Sequence, residues 1–387
     1  MNKNLNNNYY IGLISGTSMD AIDCVLVEIN SSNNVNLIDV LSYDIPEDIY
    51  NNLYKLINNN PENNHNYNKF DLINLIYQTD TKLGEVFANA VLKLIHKAKI
   101  NPEQIKAIGS HGQTIYHKPE KPNSFTVQIG NPNTIAAKTN ITTIANFRNI
   151  DLAYGGQGAP LVPIFHQEVF MHKVKNRVIV NIGGLANITY LNPTENIVLG
   201  FDTGPGNTLL DLWFKKNNLN NLNNYDLNGD FAKSGNLIEN LLNIFLDDPY
   251  FKIKPPKSTG REYFNLNWLE KKLKLFNDCT AQDIQRTLLE LSVTSITNHI
   301  TKYCPNTHEV YFCGGGVHNK FLMQKLSESL DKKFHGTTDK LNIPADWVEA
   351  MTFAYLAYKN INQQPLDLRK ITGSTVNKCI LGAVYYS

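Results

Sequence analysis

Residues 9–29 read YYIGLISGTSMDAIDCVLVEI, two apolar runs separated by small and acidic residues. Apolar, β-rich runs on both sides of a glycine-containing break predict two strands joined by a tight turn. A similar unit recurs at residues 178–191, VIVNIGGLANITYL, where two apolar runs flank a pair of glycines. The recurrence predicts two related domains, which we place at residues 1–175 and 176–387. Alternating helical and strand patterns follow each copy, which favours an α/β fold.

The overall composition indicates which classes of binding partner the protein lacks. The chain has 387 residues, 42% of them hydrophobic, with 36 Lys and Arg against 35 Asp and Glu. This balance gives no overall field to attract nucleic acid or an anionic membrane. No stretch approaches the roughly 20 apolar residues that a membrane helix needs, and the leader MNKNLNNN lacks the apolar core of a signal peptide. The five cysteines include no C-x-x-C pair. We therefore expect a globular cytoplasmic protein that binds neither nucleic acid nor membranes.

The opening turn, GTSMDAID at residues 16–23, has the composition of a phosphate site. Glycine lets backbone N–H groups point at an anion, and Thr17 and Ser18 add hydroxyl donors. Asp20 and Asp23 cannot hold a bare phosphate, but carboxylates hold Mg²⁺ or its water shell beside one. The pattern indicates a nucleotide, and an ordinary hairpin turn is the alternative.

Two more segments of the first half carry polar residues where ligands gather. His111 follows a predicted strand, IKAIGS, and ligands of open α/β sheets lie beyond the carboxyl ends of strands. Arg148 and Asp151 open a glycine-rich loop, RNIDLAYGGQGAP, and this pair of residues suits an acidic sugar. The alternatives are a structural histidine and an internal Arg–Asp pair that stabilises the loop.

The second half offers three further candidates. Asp202 is expected at the end of a strand before a helix that begins near Asn207 and Thr208, where it either caps the turn or acts in catalysis. The glycines 314–316 follow a strand and leave a flat floor for a planar group such as adenine, or else form a tight βα connection. Glu349 lies among apolar residues of a final helix and either faces solvent or points at the site.

In this order the motifs resemble the anhydro-N-acetylmuramic acid kinase family, over nearly the whole chain. The elements that carry the resemblance are GTSMDAID, GSHGQT, ANFRNIDLAYGGQGAPLVP, NIGGLANIT, GFDTGPGN and CGGGVHN. One departure is Ala21, where the family normally has glycine. Alanine disfavours a positive φ, so the departure questions the conformation of that turn.

The resemblance implies two actin-like (ribonuclease H-like) domains with a nucleotide cleft between them, ATP and Mg²⁺ as cofactors, and a homodimer. The substrate it implies is 1,6-anhydro-N-acetylmuramic acid, whose ring is opened by water and phosphorylated at O6 in peptidoglycan recycling. The implied catalytic residues are Asp202, as the base that activates water, and Glu349. The implied metal ligands are Asp20 and Asp23, and the implied substrate contacts are Arg148, Asp151, His111 and Gln157. The implied ATP contacts are Gly16, Thr17, Ser18, Met19, Asp20, Ala21, Ile22, Asp23, Gly183, Gly184, Asn187, Gly204, Gly314, Gly315, Gly316 and Asn319. The alternatives are another sugar or carboxylate kinase of the same fold and an ATP-switched binding protein.

Overall fold

The computed structural model describes residues 8–16, 19, 21–30, 34–58, 69–218, 224–330 and 334–387. The chain forms two compact units. The first contains residues up to 169 together with 349–369 and 373–387, and the second contains residues 170–348 and 370–372. In the described part of the chain, no helix combines the length and apolar character needed to cross a membrane.

The first unit is built on a sheet with the strand order β13-β7-β4-β1-β2-β3. Its strands are β1 (Tyr9–Ser15), β2 (Ala21–Ile29), β3 (Val35–Asp44), β4 (Ile105–Ser110), β7 (Thr143–Ala145) and β13 (Ala383–Tyr385). A separate hairpin is formed by β5 (Gln113–Lys118) and β6 (Phe125–Ile129). The helices are α1 (Glu47–Asn58), α2 (Lys69–Ala98), α3 (Pro132–Thr139), α4 (Asn149–Ala153), α5 (Val162–Phe170) and α13 (Val348–Ile361). A 3₁₀ turn spans Pro102–Gln104.

The second unit has a five-stranded sheet in the order β10-β9-β8-β11-β12. Its strands are β8 (Arg177–Ile182), β9 (Leu185–Asn192), β10 (Ile197–Pro205), β11 (Glu309–Cys313) and β12 (Phe334–Thr337). The helices are α6 (Thr208–Asn217), α7 (Asp230–Lys233), α8 (Glu239–Leu246), α9 (Pro249–Lys252), α10 (Leu266–Leu273), α11 (Ala281–Tyr303) and α12 (Lys320–Leu330). Further 3₁₀ turns span Leu227–Gly229, Gly315–His318, Thr338–Leu341 and Ala345–Trp347.

The two sheets share one topology. In the first sheet, β1, β2 and β3 form an antiparallel meander, and β4 and β7 lie on the other side of β1 and run parallel to it. In the second sheet, β8, β9 and β10 form the meander, and β11 and β12 lie parallel to β8 on its other side. The resulting order, 3-2-1-4-5 with only the second strand reversed, is the ribonuclease H-like arrangement of actin-like domains. Both expected hairpins, at residues 9–29 and 178–191, are confirmed as β1–β2 and β8–β9.

Local sequence signals account for several element boundaries. Asn101 caps the turn at Pro102 in a reciprocal capping box, as its position before proline predicts. Asn131 caps α3, which also begins with proline, and Asn140 ends that helix in the left-handed conformation. One apolar face of α2 is buried in the core of the first unit, with its members Val86, Ala90, Val91, Leu94 and Ile95.

The expected division at residues 175 and 176 differs from the observed units in the C-terminal part of the chain. Most residues beyond 348 belong to the first unit, because β13 pairs with β7 and α13 packs on the first sheet. Gly12 and Gly109 permit this packing because they have no Cβ. A Cβ on Gly12 would lie 1.9 Å from the carbonyl oxygen of Ala350, and one on Gly109 would lie 2.0 Å from the carbonyl oxygen of Phe353. These contacts join residues that are far apart in the sequence, so no local sequence pattern predicts them.

Candidate active site

Polar side chains form a row across neighbouring strands of the second sheet. Asn187 of β9 is paired directly with Asn181 of β8 on one side and with Asp202 of β10 on the other. Cys313 of β11 pairs with Asn181 and donates a weak S–H bond to its Oδ1 at 3.8 Å. Directly paired residues project from the same face of a sheet. The Oδ1 atom of Asn187 is buried and has no hydrogen-bond partner among the described residues, so an acceptor beside Asp202 is available to a ligand.

Backbone contacts hold Asp202 tightly. The residue is only 8% exposed, and its Oδ2 accepts a hydrogen bond from the N–H of Thr259 at 2.9 Å. Its own N–H donates to the carbonyl of Lys257 at 3.0 Å, and its carbonyl accepts from the hydroxyl of Tyr250 at 2.8 Å. The register shifts between Asp202 and Gly204, and such bulges re-aim side chains near active sites.

This placement refines the expectation for Asp202. The residue lies inside β10, which continues to Pro205, instead of at the end of the strand. The partner of its carboxylate comes from the segment PPKSTGRE at residues 255–262, which the sequence did not single out. A Gly-containing loop with hydroxyls and both charges is a weak signal by itself, and only the folded chain brings it to Asp202.

The glycine turn between β8 and β9 is tied to the start of α6. The carbonyl of Gly183 accepts from the N–H of Asn207, and the carbonyl of Gly184 accepts from the N–H groups of Gly206 and Thr208, each at 2.9 Å. These amides of the helix start are therefore used within the protein instead of pointing at an anion. A Cβ on Gly206 would lie 2.4 Å from the Gly183 carbonyl, so the approach requires glycine at position 206.

The three glycines after β11 differ in their surroundings. Gly314 has φ +82, and a Cβ there would lie 2.3 Å from Oδ1 of Asn181. A Cβ on Gly316 would lie 2.3 Å from a side-chain methyl of Ile182, whereas a Cβ on Gly315 would meet nothing within 4 Å. Gly315 therefore faces open space, as a nucleotide contact requires. Asn319 caps α12 through a bond from the N–H of Leu322 to its Oδ1 at 2.9 Å.

In the opening turn of the first unit, Thr17, Ser18 and Asp20 lie outside the described residues. Met19 and Ile22 have buried side chains in the core, so only their backbones are available to a ligand. Among the described residues of this turn, Met19 has a positive φ of 61°, while Ala21 starts β2 opposite Asp44. The turn therefore requires no glycine at position 21, which answers the question raised by the departure from the family pattern.

His111 and Arg148 form a hydrogen-bonded pair in the first unit. Nε of Arg148 donates to Nε2 of His111 at 3.0 Å, so the ring proton lies on Nδ1, which donates to the Gly112 carbonyl at 3.0 Å. Burial and the Arg148 charge hold the pKa of His111 well below its usual value. The ring also lies 4.7 Å from that of Phe353. A neutral histidine thus orients the guanidinium of Arg148.

Arg148 and Asp151 bind opposite sides of Gly158. Nη1 of Arg148 donates to the Gly158 carbonyl at 2.9 Å, and Oδ2 of Asp151 accepts from the Gly158 N–H at 2.7 Å. Asp151 is fully buried, and a Cβ on Gly156 would lie 2.3 Å from its carboxylate. Asp151 thus shapes the loop, and its role as a substrate contact stays a prediction. Arg148 and Gln157 are partly exposed.

The hairpin β5–β6 adds polar residues that the sequence did not indicate. His117 of β5 shares a hydrogen bond with Thr126 of β6 at 3.0 Å, and Gln128 donates to both Thr114 and Thr126. Burial and the nearby charge of Arg148 lower the pKa of His117 to about 3. A neutral, polar surface therefore lies near Arg148, and no spacing in the sequence predicts it.

The remaining site candidates are Glu349 and the acidic residues of the first turn. Glu349 is partly exposed in the first turn of α13, in the first unit. Asp23 is partly exposed in β2, where it accepts from the hydroxyl of Ser42 at 3.3 Å. Among the described residues, no group of three or more His, Cys, Asp or Glu side chains is arranged to hold a metal ion. A partly exposed carboxylate such as Asp23 fits Mg²⁺ that keeps several of its waters.

Comparisons with known proteins identify the family of the chain. The family model described as anhydro-N-acetylmuramic acid kinase matches residues 8–387. The chain is 45% identical over 383 residues to the anhydro-N-acetylmuramic acid kinase of Photobacterium profundum, covering 97% of this chain and 98% of that protein. It is 46% identical over 380 residues to the protein of that name from a Shewanella species, covering 98% of each.

Coxiella burnetii also has a protein of that name, 45% identical over 379 residues and 97% of each chain. Among solved structures, the activator of the 2-hydroxyisocaproyl-CoA dehydratase from Clostridium difficile with bound ADPNP is similar at a TM-score of 0.44 and 10% identity. That match covers 92% of this chain and 96% of that one. The match of the family model and the near-full-length identity show that the chain belongs to the anhydro-N-acetylmuramic acid kinase family of enzymes.

Proposed function

We propose that the chain catalyses the ATP-dependent conversion of 1,6-anhydro-N-acetylmuramic acid to N-acetylmuramic acid 6-phosphate, in peptidoglycan recycling. Water attacks the anomeric carbon and the bond from that carbon to O6 breaks. O6 then forms a bond to the γ-phosphorus of ATP, and ADP leaves. Family membership supports this reaction. We assign its base, its ATP contacts and its substrate contacts to the residues described above.

Asp202 is the general base that takes the proton from the attacking water. The observation that carries this assignment is the row of polar side chains, in which a buried, firmly held carboxylate lies beside the unpartnered amide oxygen of Asn187. A carboxylate accepts the proton of a water molecule, and an amide oxygen accepts its second hydrogen. Base assistance of this kind contributes roughly 100- to 10,000-fold in rate.

Glycine turns supply the proposed contacts with ATP. Gly16 and Gly315 are the contacts with the nucleotide that the geometry supports, since a Cβ on either would enter open space. The backbone of residues 16–23 and the turn at Gly183 and Gly184 bind the phosphates. Gly204 and Gly206 shape the turn beside them. We assign Mg²⁺ to Asp20 and Asp23, and when bound it would neutralise charge on the transferring phosphoryl group.

Arg148 recognises the lactyl carboxylate of the sugar. Its guanidinium is oriented by neutral His111 and by the Gly158 carbonyl. An oriented guanidinium presents a planar fork that matches a carboxylate. Asp151 acts on the substrate through the loop it shapes, and Gln157 is a direct contact. Glu349 assists catalysis from the start of α13.

We further propose a cytoplasmic homodimer that acts on small molecules and binds neither nucleic acid nor membranes. The near balance of 36 basic and 35 acidic residues supports the absence of a nucleic-acid partner. ATP, the phosphoryl donor of the proposed reaction, is a cytoplasmic metabolite, which supports the location.

Replacement of the proposed base tests this function. Asp202→Asn keeps the shape of the side chain and its acceptor for the Thr259 N–H, so we expect unchanged ATP affinity and a roughly 100- to 10,000-fold lower kcat. Calorimetry with ATP and a coupled ADP assay with the anhydro-sugar measure the two quantities. Turnover within a few-fold of the wild type would refute the assignment of Asp202.

A further inference from the structure

Lys257 is a buried lysine beside the proposed base. It is 3% exposed, its Nζ donates to the carbonyl of Tyr250 at 3.0 Å, and the ammonium lies 4.1 Å from the centre of the Tyr250 ring. Lysine is almost never buried without a paired charge, because removal of an ammonium from water is costly. Within the described part of the chain, Lys257 takes part in no ion pair closer than 4.0 Å. A buried cation in this setting calls for an explanation.

The backbone links Lys257 to Asp202 by a closed set of contacts. Asp202 N–H donates to the Lys257 carbonyl, and the Tyr250 hydroxyl donates to the Asp202 carbonyl. The ammonium of Lys257 completes the set by binding the Tyr250 carbonyl. The position of the lysine is therefore fixed relative to the carboxylate, although the two residues are far apart in sequence.

The other titratable groups around Lys257 are neutral or positively charged, so Asp202 is its anionic neighbour. The hydroxyl of Tyr250 stays protonated, because burial and the Asp202 charge raise its pKa far above the usual value. His299 of α11 is neutral near pH 7, since burial and the Lys257 charge lower its pKa to about 4. Lys302, also of α11, adds a second positive charge that repels the ammonium.

We propose that Lys257 is a positioning residue whose buried ammonium keeps the Asp202 carboxylate ionised, and so ready to accept a proton. This role rests on the proposed function of Asp202 as the base. A carboxylate that is only 8% exposed is harder to ionise than one in water, and a fixed cation nearby offsets that cost. Because Lys257 is itself buried, it acts through Asp202 and does not contact the substrate.

The ammonium holds its charge over the required pH range. Burial lowers the pKa of Lys257 to about 8, Asp202 opposes that shift, and Lys302 adds to it. The side chain is consequently mostly protonated below pH 8. Removal of the ammonium raises the pH needed to ionise Asp202.

The test is the pH profile of kcat for wild type, Lys257→Met and Lys257→Arg, with 6-phosphorylated sugar measured as the product. We expect the acid limb of Lys257→Met to move up by about one pH unit, so that activity on that limb falls about tenfold. Lys257→Arg keeps the charge and should keep the wild-type limb. ATP and the sugar titrate in the same way with all three enzymes, so their contribution cancels when the three pH profiles are compared.

A purely structural role for Lys257 predicts another result, in which Lys257→Met lowers activity equally at every pH. An unmoved limb in an active Met variant would overturn the proposed role while leaving the function of Asp202 intact. Absence of phosphorylated sugar with the wild-type enzyme would instead overturn the proposed function, and the role of Lys257 with it. Lys257→Gln, which keeps a donor for the Tyr250 carbonyl, provides the same test should the Met variant unfold.

Discussion

At the scale of single residues, hydrogen-bond partners separate the roles that residue type leaves open. Arg148 and Asp151 both bind Gly158, yet the arginine is partly exposed and the aspartate is fully buried. His111 uses both ring nitrogens within the protein, which makes it the support of Arg148. Residue type left a structural role open for all three, and the resemblance implied that they contact the substrate, which stays a prediction. The sequence does not record which face of a loop is accessible.

Arg148→Lys should weaken the binding of the sugar more than it slows the reaction. Lysine keeps the charge but cannot reproduce the planar fork held by His111 and Gly158. We expect KM for the anhydro-sugar to rise roughly 10- to 100-fold, which is the value of a charged hydrogen bond, with KM for ATP unchanged. Steady-state kinetics with each substrate varied in turn measures both constants. Equal KM values in variant and wild type would remove Arg148 from the sugar site.

At the scale of elements, turns rather than strands decide the chemistry. The two hairpins, the strand before His111 and the helices that begin near Asn207 and contain Glu349 follow from apolar runs and glycine positions, and the sequence predicts them. The contacts of the turns were not predicted, because they involve partners far along the chain. The carbonyls of Gly183 and Gly184 bind the start of α6, and the segment at residues 255–262 reaches Asp202. Such pairings depend on the completed sheet.

Two neighbouring glycines of the second unit allow a matched test. Gly316→Ala places a methyl group 2.3 Å from the Ile182 side chain, so we expect a loss of about 1–3 kcal/mol of stability and a lower Tm. Gly315→Ala meets nothing within 4 Å, so its Tm should stay at the wild-type value while ATP binds about tenfold more weakly. Thermal melting and calorimetry separate the two effects. Wild-type ATP affinity in Gly315→Ala would exclude Gly315 from the nucleotide site.

Ala21→Gly tests whether the departure from the family pattern matters. Ala21 begins a strand, and the positive φ of the turn belongs to Met19, so glycine gains no conformational advantage at position 21. We expect ATP affinity and kcat within about twofold of the wild type, a change of less than about 0.5 kcal/mol. A several-fold gain in either quantity would show that the alanine constrains the turn.

At the scale of the whole molecule, the chain builds one sheet topology twice, and the end of the chain returns to the first copy. The repeated turns predicted two related domains, and the two sheets share one strand order. The membership of α13 and β13 in the first unit was not predicted. The residues that indicate it are Gly12 and Gly109, and in the local sequence each is only a glycine in a strand, where glycine is disfavoured. Close backbone packing explains both glycines.

Buried histidines make the whole protein sensitive to acid. Burial lowers the pKa of His166 to about 3, below its value in the unfolded chain, so the unfolded state binds a proton that the folded state excludes. Stability is thus fully present above about pH 6.5 and falls as the pH drops towards 3, by at most about 1.4 kcal/mol per pH unit for this histidine. Tm at pH 7 and pH 5 measures the slope. We expect a smaller drop in His166→Gln, and an equal drop would contradict this origin.

In the proposed reaction, one turnover combines attack by water with phosphoryl transfer. The most direct measurement is incubation of the enzyme with Mg·ATP and 1,6-anhydro-N-acetylmuramic acid in ¹⁸O-labelled water, with product mass spectrometry at early times. We expect a 6-phosphorylated sugar that carries the label on its anomeric oxygen before exchange with solvent introduces it. An unlabelled phosphosugar at those times would contradict the role of water, and with it the role of Asp202 as the base.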